Sequence, residues 1–201
     1  MTELQRWETR FSAPDYVFGK APNAFLKNHA HLFRHGEKVL AFADGEGRNG
    51  VFLAELGLDV LSLDFSLNAL AKAQALASER GVKLRTECAD IFTWGWPTAA
   101  FDAVVGIFFQ FAPPDMRQKV FSNIKKTLKP GGLLLIEGYR PEQVDYKTGG
   151  PPERENMYTR ELLEESFGDF SSVDIKEYDS VVDEGAGHKG MSALIDLVAR
   201  K

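Results

Sequence analysis

Short apolar runs alternate along the chain with segments of helical periodicity. Residues 39–43 (VLAFA) form an uninterrupted apolar run that ends in a glycine-rich turn, which is typical of a strand buried on both faces. The stretch 49–56 repeats apolar residues at helical spacing, and Gly57 predicts where that helix ends. The alternation continues with strands predicted at 59–65, 82–88, 101–109 and 131–139 and helices at 66–81 and 113–128. This order predicts a doubly wound α/β fold with a mostly parallel sheet.

The C-terminal part departs from that order. After a helix predicted at 159–167 come two β-rich stretches, 171–182 and 189–200, which only a short glycine-containing loop separates. So short a connection predicts a hairpin. One of these two strands must therefore run antiparallel to the rest of the sheet.

The segment before the first strand does not suit a sheet, because its aromatic residues are interrupted by Pro and Gly. We expect a short helix, an irregular aromatic stretch and a second helix at 22–33. Ligands of open α/β sheets bind at the carboxyl ends of the strands, and this segment is a candidate lid over that edge. We therefore expect a single domain, with residues 1–36 as lid segment and 37–201 as core.

Composition and charge narrow the class of partner. The chain has 201 residues, enough for one domain with a full core, and its net charge of -5 argues against a nucleic-acid partner. No apolar run reaches the ~18 residues of a membrane span, and the polar N-terminus does not resemble a signal peptide. The lone Cys88 excludes an intramolecular disulfide and a cysteine-rich zinc site. We expect a cytoplasmic protein, monomeric or weakly dimeric, that acts on a small molecule.

The turn after the first strand, residues 45–50 (GEGRNG), has the spacing G-x-G-x-x-G. Gly45 and Gly47 allow a ligand to approach the backbone, and the next helix points free N–H groups at a pyrophosphate or carboxylate. Asp64 ends the second strand, where a carboxylate accepts hydrogen bonds from ribose hydroxyls. These residues alone leave a nicotinamide dinucleotide and another adenosine-bearing cofactor equally open.

Two further features favour an adenosine-bearing cofactor other than a nicotinamide dinucleotide. Asp90 ends the third strand, where its carboxylate can accept from an adenine amino group while Ile91 and Phe92 pack on the ring; alternatively, Asp90 caps the next turn. The chain also has no room for the substrate domain that many dehydrogenases carry, and its hairpin does not fit a two-fold repeated dinucleotide fold.

Five motifs in order resemble those of class I S-adenosylmethionine (SAM) dependent methyltransferases. They are VLAFADGEGRN, LSLDFS, ECADIF, FDAVVGIFFQF and LKPGGLLLIEGY. The stretches DYVFGKAPNAFL, DYKTGGPP and DEGAGHKG are similar to small bacterial members of the tellurite-resistance and thiopurine types. The resemblance implies a seven-stranded sheet of order 3-2-1-4-5-7-6 with strand 7 antiparallel. It also implies SAM as cofactor and S-adenosylhomocysteine as product.

The resemblance carries over to particular positions. The expected cofactor-binding residues are Ala43, Gly45, Gly47, Arg48, Asn49, Asp64, Phe65, Asp90, Ile91, Ile107 and Phe108. The expected substrate or lid residues are Trp7, Arg10, Tyr16, Phe18, Gly19, Gln110, Tyr146 and Thr148. Simpler alternatives stay open: the aromatic residues only pack the segment on the sheet, Arg48 and Asn49 face solvent, and residues 146–152 form a plain turn.

Four positions depart from the family pattern, one of them Asp44, which replaces a frequent small residue. Ala41 stands where the first motif commonly has an acidic residue, and Ala43 stands where it has glycine. Asp44 or a backbone carbonyl could replace the missing contact to the methionine amino group. Gln110 stands where the subgroup often has histidine.

The implied activity is methyl transfer to a small molecule by in-line displacement. A sulfur, selenium or tellurium nucleophile needs no strong base, whereas a hydroxyl or amine needs one, for which Tyr146 and His188 are the candidates. We expect no metal, because no Cys or carboxylate cluster joins the other histidines. Two alternatives remain: an NAD(P)-dependent oxidoreductase, and a non-catalytic SAM-binding protein.

Overall fold

The computed structural model describes residues 2–185 and 187–201. Met1, the first position of the expected lid segment, and Ala186, within the predicted hairpin loop, lie outside the described residues. The α-helices are α1 (Glu3–Phe11), α2 (Ala24–Asn28), α3 (Arg48–Glu55), α4 (Leu67–Glu79), α5 (Pro114–Thr127), α6 (Gln143–Tyr146) and α7 (Arg160–Phe167). The strands are β1 (Lys38–Phe42), β2 (Asp59–Asp64), β3 (Arg85–Cys88), β4 (Phe101–Ile107), β5 (Leu128–Tyr139), β6 (Ser172–Glu184) and β7 (His188–Arg200).

The strands form one sheet in the order β3-β2-β1-β4-β5-β7-β6. β7 runs antiparallel to β5. The expected order and the antiparallel strand 7 are therefore confirmed. The expected single-domain organisation, cytoplasmic location and weakly dimeric state stay predictions.

Within the described residues the chain divides into two compact units. The first unit runs to Trp94 and includes Glu184, Gly185 and Gly187 of the β6–β7 turn. In it, β1 pairs with β2 and β2 with β3, all parallel. Their carboxyl ends consequently lie along one edge, which brings the glycine turn, Asp64 and Asp90 to that edge.

The second unit comprises Gly95–Asp183 and His188–Lys201. Its β4 and β5 are parallel, and the pairing of Tyr139 with Leu194 places the start of β7 beside the end of β5. Tyr139, Leu194 and their buried neighbours form an apolar cluster against which Phe108 packs. The carboxyl end of β5 is thus lined by aromatic side chains.

Three predicted boundaries were wrong by three residues or more. The helix predicted at 22–33 stops at Asn28, where the chain changes to the i→i+3 hydrogen bonds of a short 3₁₀ turn: the Leu32 N–H donates to the His29 carbonyl and the Phe33 N–H to the Ala30 carbonyl. The strand predicted at 82–88 begins at Arg85, because the Leu84 carbonyl accepts from the Gln74 side chain at 2.9 Å. β5 begins earlier than predicted, at Leu128, across a register shift in its pairing with β4.

Candidate functional site

The turn after β1 depends on left-handed backbone at alternate positions. Ala43, Gly45 and Gly47 have φ values of 50°, 57° and 82°. Glycine adopts this conformation freely, whereas alanine is strained in it. The strain at Ala43 explains why glycine is the common residue of the motif at this position.

Asp64, at the end of β2, is fixed by the backbone around it. Its Oδ2 accepts from the Gly45 N–H at 2.8 Å, and its Oδ1 accepts from the Ser66 N–H at 2.9 Å. Burial raises the pKa of Asp64, and backbone hydrogen bonds from Ser66, Gly45 and Phe65 oppose that rise. A carboxylate offers about four acceptor sites, so Asp64 retains capacity for further donors.

Asp44 faces the inside of the turn. Its carboxylate accepts from the Ser62 hydroxyl at 2.6 Å and from the Gly50 N–H at 3.2 Å. Burial raises the pKa of Asp44 to about 7. A Cβ on Gly50 would lie 2.4 Å from Asp44 Oδ2, so the last glycine of the motif makes room for this carboxylate. Asp44 therefore ties β2 to the start of α3.

Arg48 and Asn49, the first residues of α3, contact other parts of the first unit. The buried Arg48 forms an ion pair of 2.5 Å with Glu184. Glu184 also accepts from the Asn23 side chain at 3.0 Å and the Ala24 N–H at 3.3 Å. Asn49 Oδ1 accepts from the Asn23 N–H at 2.9 Å. Arg48 thus binds the end of β6, and Asn49 binds the segment that precedes β1.

Glu46, the middle residue of G-x-G, points to the N-terminal segment. It is 3% exposed, and its Oε2 accepts from the Val17 N–H at 2.8 Å and the Phe18 N–H at 3.4 Å. Its Oε1 accepts from Lys72 Nζ at 2.7 Å, and Lys72 also donates to the Asp15 carbonyl. The carboxylate of Glu46 therefore fixes the backbone of this segment.

The expected aromatic lid residues pack together. Trp7 stacks on Phe11 with ring centroids 5.3 Å apart, and Phe18 meets Phe11 edge-on at 6.4 Å. The Arg10 guanidinium lies 5.0 Å from the Trp7 centroid and 5.1 Å from that of Phe18. A Cβ on Gly45 would lie 3.6 Å from Phe11 Cζ. The cluster consequently covers the first glycine of the turn.

Two more contacts bind the N-terminal segment to α4. The Tyr16 hydroxyl donates to the Lys72 carbonyl at 2.9 Å, and Gly19 turns the chain after it with φ of 70°. Glu8 of α1 accepts from the backbone N–H groups of Leu67 and Asn68 at 2.6 and 3.3 Å. Glu8 thereby occupies the start of α4 beside Asp64.

Asp90 follows β3 at the same edge and is exposed. Its Oδ1 accepts from the Phe92 N–H at 2.9 Å, which is the turn-capping alternative left open by the sequence. Ile91 is buried, and the Phe65 carbonyl accepts from Cys88 Sγ at 3.5 Å. These contacts leave the expected adenine contact of Asp90 a prediction.

In the second unit an aromatic group lies where β4 ends. Phe108 follows Ile107 with a left-handed φ of 54° and stacks on Tyr139 at 4.6 Å. His188, the first residue of β7, meets Phe108 edge-on at 4.5 Å. The imidazole therefore lies in a largely apolar environment.

The side chain of Gln110 forms hydrogen bonds to the backbone of β5. Its Nε2 donates to the Tyr139 carbonyl at 2.7 Å, and its Oε1 accepts from the Tyr139 N–H. Gln110 is buried, and a Cβ on Gly138 would lie 2.8 Å from it. The side-chain amide thus continues the hydrogen bonding at the end of β4.

Tyr146 and Thr148 both contact the hairpin. The Tyr146 hydroxyl donates to Asp179 at 2.8 Å, and this hydrogen bond raises the pKa of Tyr146. Thr148 donates to the Met191 carbonyl and accepts from Gln143 Nε2 at 3.0 Å. A raised pKa weakens the case for Tyr146 as a general base at neutral pH.

Sequence reasoning missed Glu8, Glu46, Asn23 and Glu184. Glu46 lies inside the glycine motif, and Asn23 and Glu184 lie inside the two subgroup-like stretches 15–26 and 183–190, but no local pattern indicated their contacts. In the described part of the chain, no group of three or more His, Cys, Asp or Glu could hold a metal ion. Nor does this part contain a helix long and apolar enough to cross a membrane.

The comparisons with known proteins agree with this fold. Residues 39–132 match the family model of the methyltransferase domain. Over 138 residues the chain is 31% identical to a demethylmenaquinone methyltransferase of Thermus thermophilus, across 68% of this chain and 55% of the relative. These matches support a SAM-dependent methyltransferase. The chain spans about half the length of that curated relative.

Two solved structures share the fold of this chain. TehB from Haemophilus influenzae has a TM-score of 0.71 at 21% identity, with coverage of 98% of this chain and 66% of that one. A protein from a study of the conversion of a disulfide bond into a thioacetal group during echinomycin biosynthesis has a TM-score of 0.78 at 18% identity, covering 100% and 92%. Identities this low establish a common fold and nothing more.

Proposed function

We propose that the chain binds SAM in its first unit and transfers the methyl group to a small-molecule acceptor. The observation that carries this proposal is Asp64. It lies at the end of β2, is 6% exposed, and is held by the N–H groups of Gly45 and Ser66. A buried carboxylate in this position is a natural acceptor for the two hydroxyls of an adenosine ribose.

The residues present fit this cofactor. Each oxygen of Asp64 accepts one N–H from Gly45 or Ser66, and burial raises its pKa, so further donors stabilise the ionised form. Gly45 and Gly47 carry no Cβ at the turn, which lets a ligand approach the backbone. When bound, SAM supplies an activated methyl group, and the protein's part is to orient it and exclude water.

The charges around the turn support SAM over a nicotinamide dinucleotide. The Asp64 carboxylate lies beside the turn, and the basic side chains there, Lys72 and Arg48, are already paired with Glu46 and Glu184. A pyrophosphate would bring two negative charges into this acidic surrounding. A sulfonium cation is compatible with it.

The aromatic cluster of Trp7, Phe11 and Phe18 supports a lid role. It packs over Gly45, and aromatic faces attract a nearby cation while they exclude water. A water-free surrounding protects the reactive sulfonium from hydrolysis.

For the acceptor we propose a soft nucleophile based on sulfur, selenium or tellurium. Tyr146 is bound to Asp179 with a raised pKa, and His188 packs against Phe108, so neither is well placed as a strong base. A thiolate-like nucleophile attacks without one.

The first test is calorimetry with S-adenosylhomocysteine. We expect Asp64→Ala to weaken binding by about 100-fold, because two charged hydrogen bonds are lost, and Asp90→Ala by about tenfold. Asp59→Ala is the matched control, since Asp59 begins the same strand at the opposite edge. Tight NADH binding without a signal for S-adenosylhomocysteine would establish the oxidoreductase alternative instead.

A turnover screen with SAM tests the acceptor class. We expect methylation of thiols, selenite or tellurite and none of small carboxylic acids. Firm cofactor binding together with inactivity on every acceptor would favour the non-catalytic SAM-binding alternative.

A further inference from the structure

The residues Glu46, Arg48 and Asn49 lie inside the glycine motif. Glu46 and Asn49 nevertheless bind the protein's own N-terminal segment, and Arg48 is linked to it through Glu184. We propose that these three are positioning residues which latch residues 15–24 onto the turn, so that cofactor binding and closure of this segment are thermodynamically coupled. The inference rests on the proposed SAM site and assigns Arg48 and Asn49 to the latch instead of the cofactor carboxylate.

The first point of the latch is Glu46. Because Gly45 and Gly47 on either side have positive φ, the turn directs Glu46 to the N-terminal segment. There its carboxylate accepts from two consecutive N–H groups, those of Val17 and Phe18. A nearly fully buried carboxylate that loses such donors bears a large desolvation penalty, so the contact is strongly favoured once formed.

The second point is at the start of α3. Asn49 accepts from the Asn23 N–H, and Arg48 pairs with Glu184, which in turn accepts from Asn23 and Ala24. The Arg48–Glu184 pair is shielded, with side-chain exposures of 7% and 12%. Shielding from water makes this pair costly to break by removing one partner.

The β6–β7 turn adds a third contact to the same segment. The Gly187 N–H donates to the Val17 carbonyl at 3.2 Å. A Cβ on Gly187 would lie 2.3 Å from the Phe18 ring, and one on Gly185 would lie 2.5 Å from the Val17 carbonyl oxygen. The segment is therefore held between the glycine motif and this turn.

The latch reaches the proposed cofactor position through Phe18. Glu46 fixes the backbone of Phe18, whose ring packs on Phe11, and Phe11 covers Gly45. A ligand that orders the turn therefore favours the closed segment. By linkage, the closed segment raises the affinity for that ligand by the same factor.

Hydrogen exchange of the full chain, with and without S-adenosylhomocysteine, tests the coupling. In the wild-type protein we expect the ligand to slow exchange of the Val17 and Phe18 N–H groups. In Glu46→Gln we expect these amides to exchange about tenfold faster without ligand, and the Kd for S-adenosylhomocysteine to rise about tenfold. A ligand also slows any exchange that occurs through global unfolding. The latch is therefore supported where these two amides exchange faster than the β1 amides without ligand and are slowed when it binds.

The matched control is Glu79→Gln. It removes the Lys20–Glu79 pair, which also joins the N-terminal segment to α4 but is solvent-exposed, with 40% and 51% side-chain exposure. We expect a Kd within about twofold of the wild type. Glu184→Gln independently tests the contact at the start of α3. If a variant does not fold, the wild-type exchange measurement still tests the coupling.

The outcomes separate this inference from the proposed function. Wild-type protein that does not bind S-adenosylhomocysteine overturns both. Wild-type protein that binds it without slowing exchange at Val17 and Phe18, or latch variants that bind it as tightly as Glu79→Gln, overturns the latch alone.

Discussion

At the scale of single residues, the turn after β1 contains two residues in energetically unfavourable states. Ala43 has left-handed backbone without being glycine, and Asp44 is a carboxyl group buried among Ser62, Gly50 and the sheet. Residues in such states persist only when their surroundings fix them. Both residues therefore indicate that the surrounding structure fixes the turn.

The buried carboxyl of Asp44 predicts a pH-dependent stability. Its pKa is about 7 in the folded protein, against an ordinary value of 3.8. Between these values the folded state keeps a proton that the unfolded state has released. The free energy of unfolding should therefore fall as the pH rises from about 4 to 7, by at most ~1.4 kcal/mol per pH unit, and then level off.

Urea denaturation across this pH range, for the wild type and Asp44→Asn, measures the effect. The variant cannot titrate at this position, so its stability should fall less steeply with pH. Burial raises the pKa of Asp196 to about 6, and this group contributes the same pH dependence of stability to both proteins. Identical slopes for the two proteins would contradict the prediction.

At the scale of elements, the turn and α4 are in direct contact. A Cβ on Gly47 would lie 2.4 Å from the Cβ of Ala73, and Gly47 has φ of 82°. The packing of the turn on α4 therefore depends on the missing side chain as well as on backbone freedom. These two requirements can be separated by experiment.

Gly47→Ala should destabilise the protein by about 3 kcal/mol, because overpacking adds to the backbone strain. Gly81→Ala is the control: Gly81 has φ of 69°, but no atom lies within 4 Å of its would-be Cβ. That variant should lose only ~1 kcal/mol. Equal losses in chemical denaturation would show that contact with Ala73 does not matter.

At the scale of the whole molecule, the first unit combines distant parts of the chain. Glu184 belongs to it although the rest of β6 is in the second unit. A ligand that binds only the folded first unit must stabilise it by mass action. Ligand-linked stability therefore provides a test that requires no knowledge of the acceptor.

We expect S-adenosylhomocysteine at 100 times its Kd to raise the free energy of unfolding by about 2.7 kcal/mol. NADH at the same concentration should leave it unchanged. Thermal unfolding followed by circular dichroism measures both. Stabilisation by NADH and not by S-adenosylhomocysteine would indicate a nicotinamide cofactor instead of SAM.

The sheet could be predicted because its signals are local. Apolar runs such as 39–43, the glycine turn and the short loop before 189–200 each specify their own conformation. One boundary failed where a side chain from elsewhere competed for a backbone group. Gln74 takes the Leu84 carbonyl and shortens β3.

The sequence by itself determined the order of the elements and the position of Asp64, since periodicity and turn residues act over a few positions. Only the tertiary structure decided what Glu46, Arg48 and Asn49 contact. Arg48 and Glu184 are 136 positions apart, and Glu46 and Val17 are 29 apart. Such partners meet only when the folded chain brings the N-terminal segment and the β6–β7 turn to the glycine motif, and nothing in the local pattern specifies that encounter.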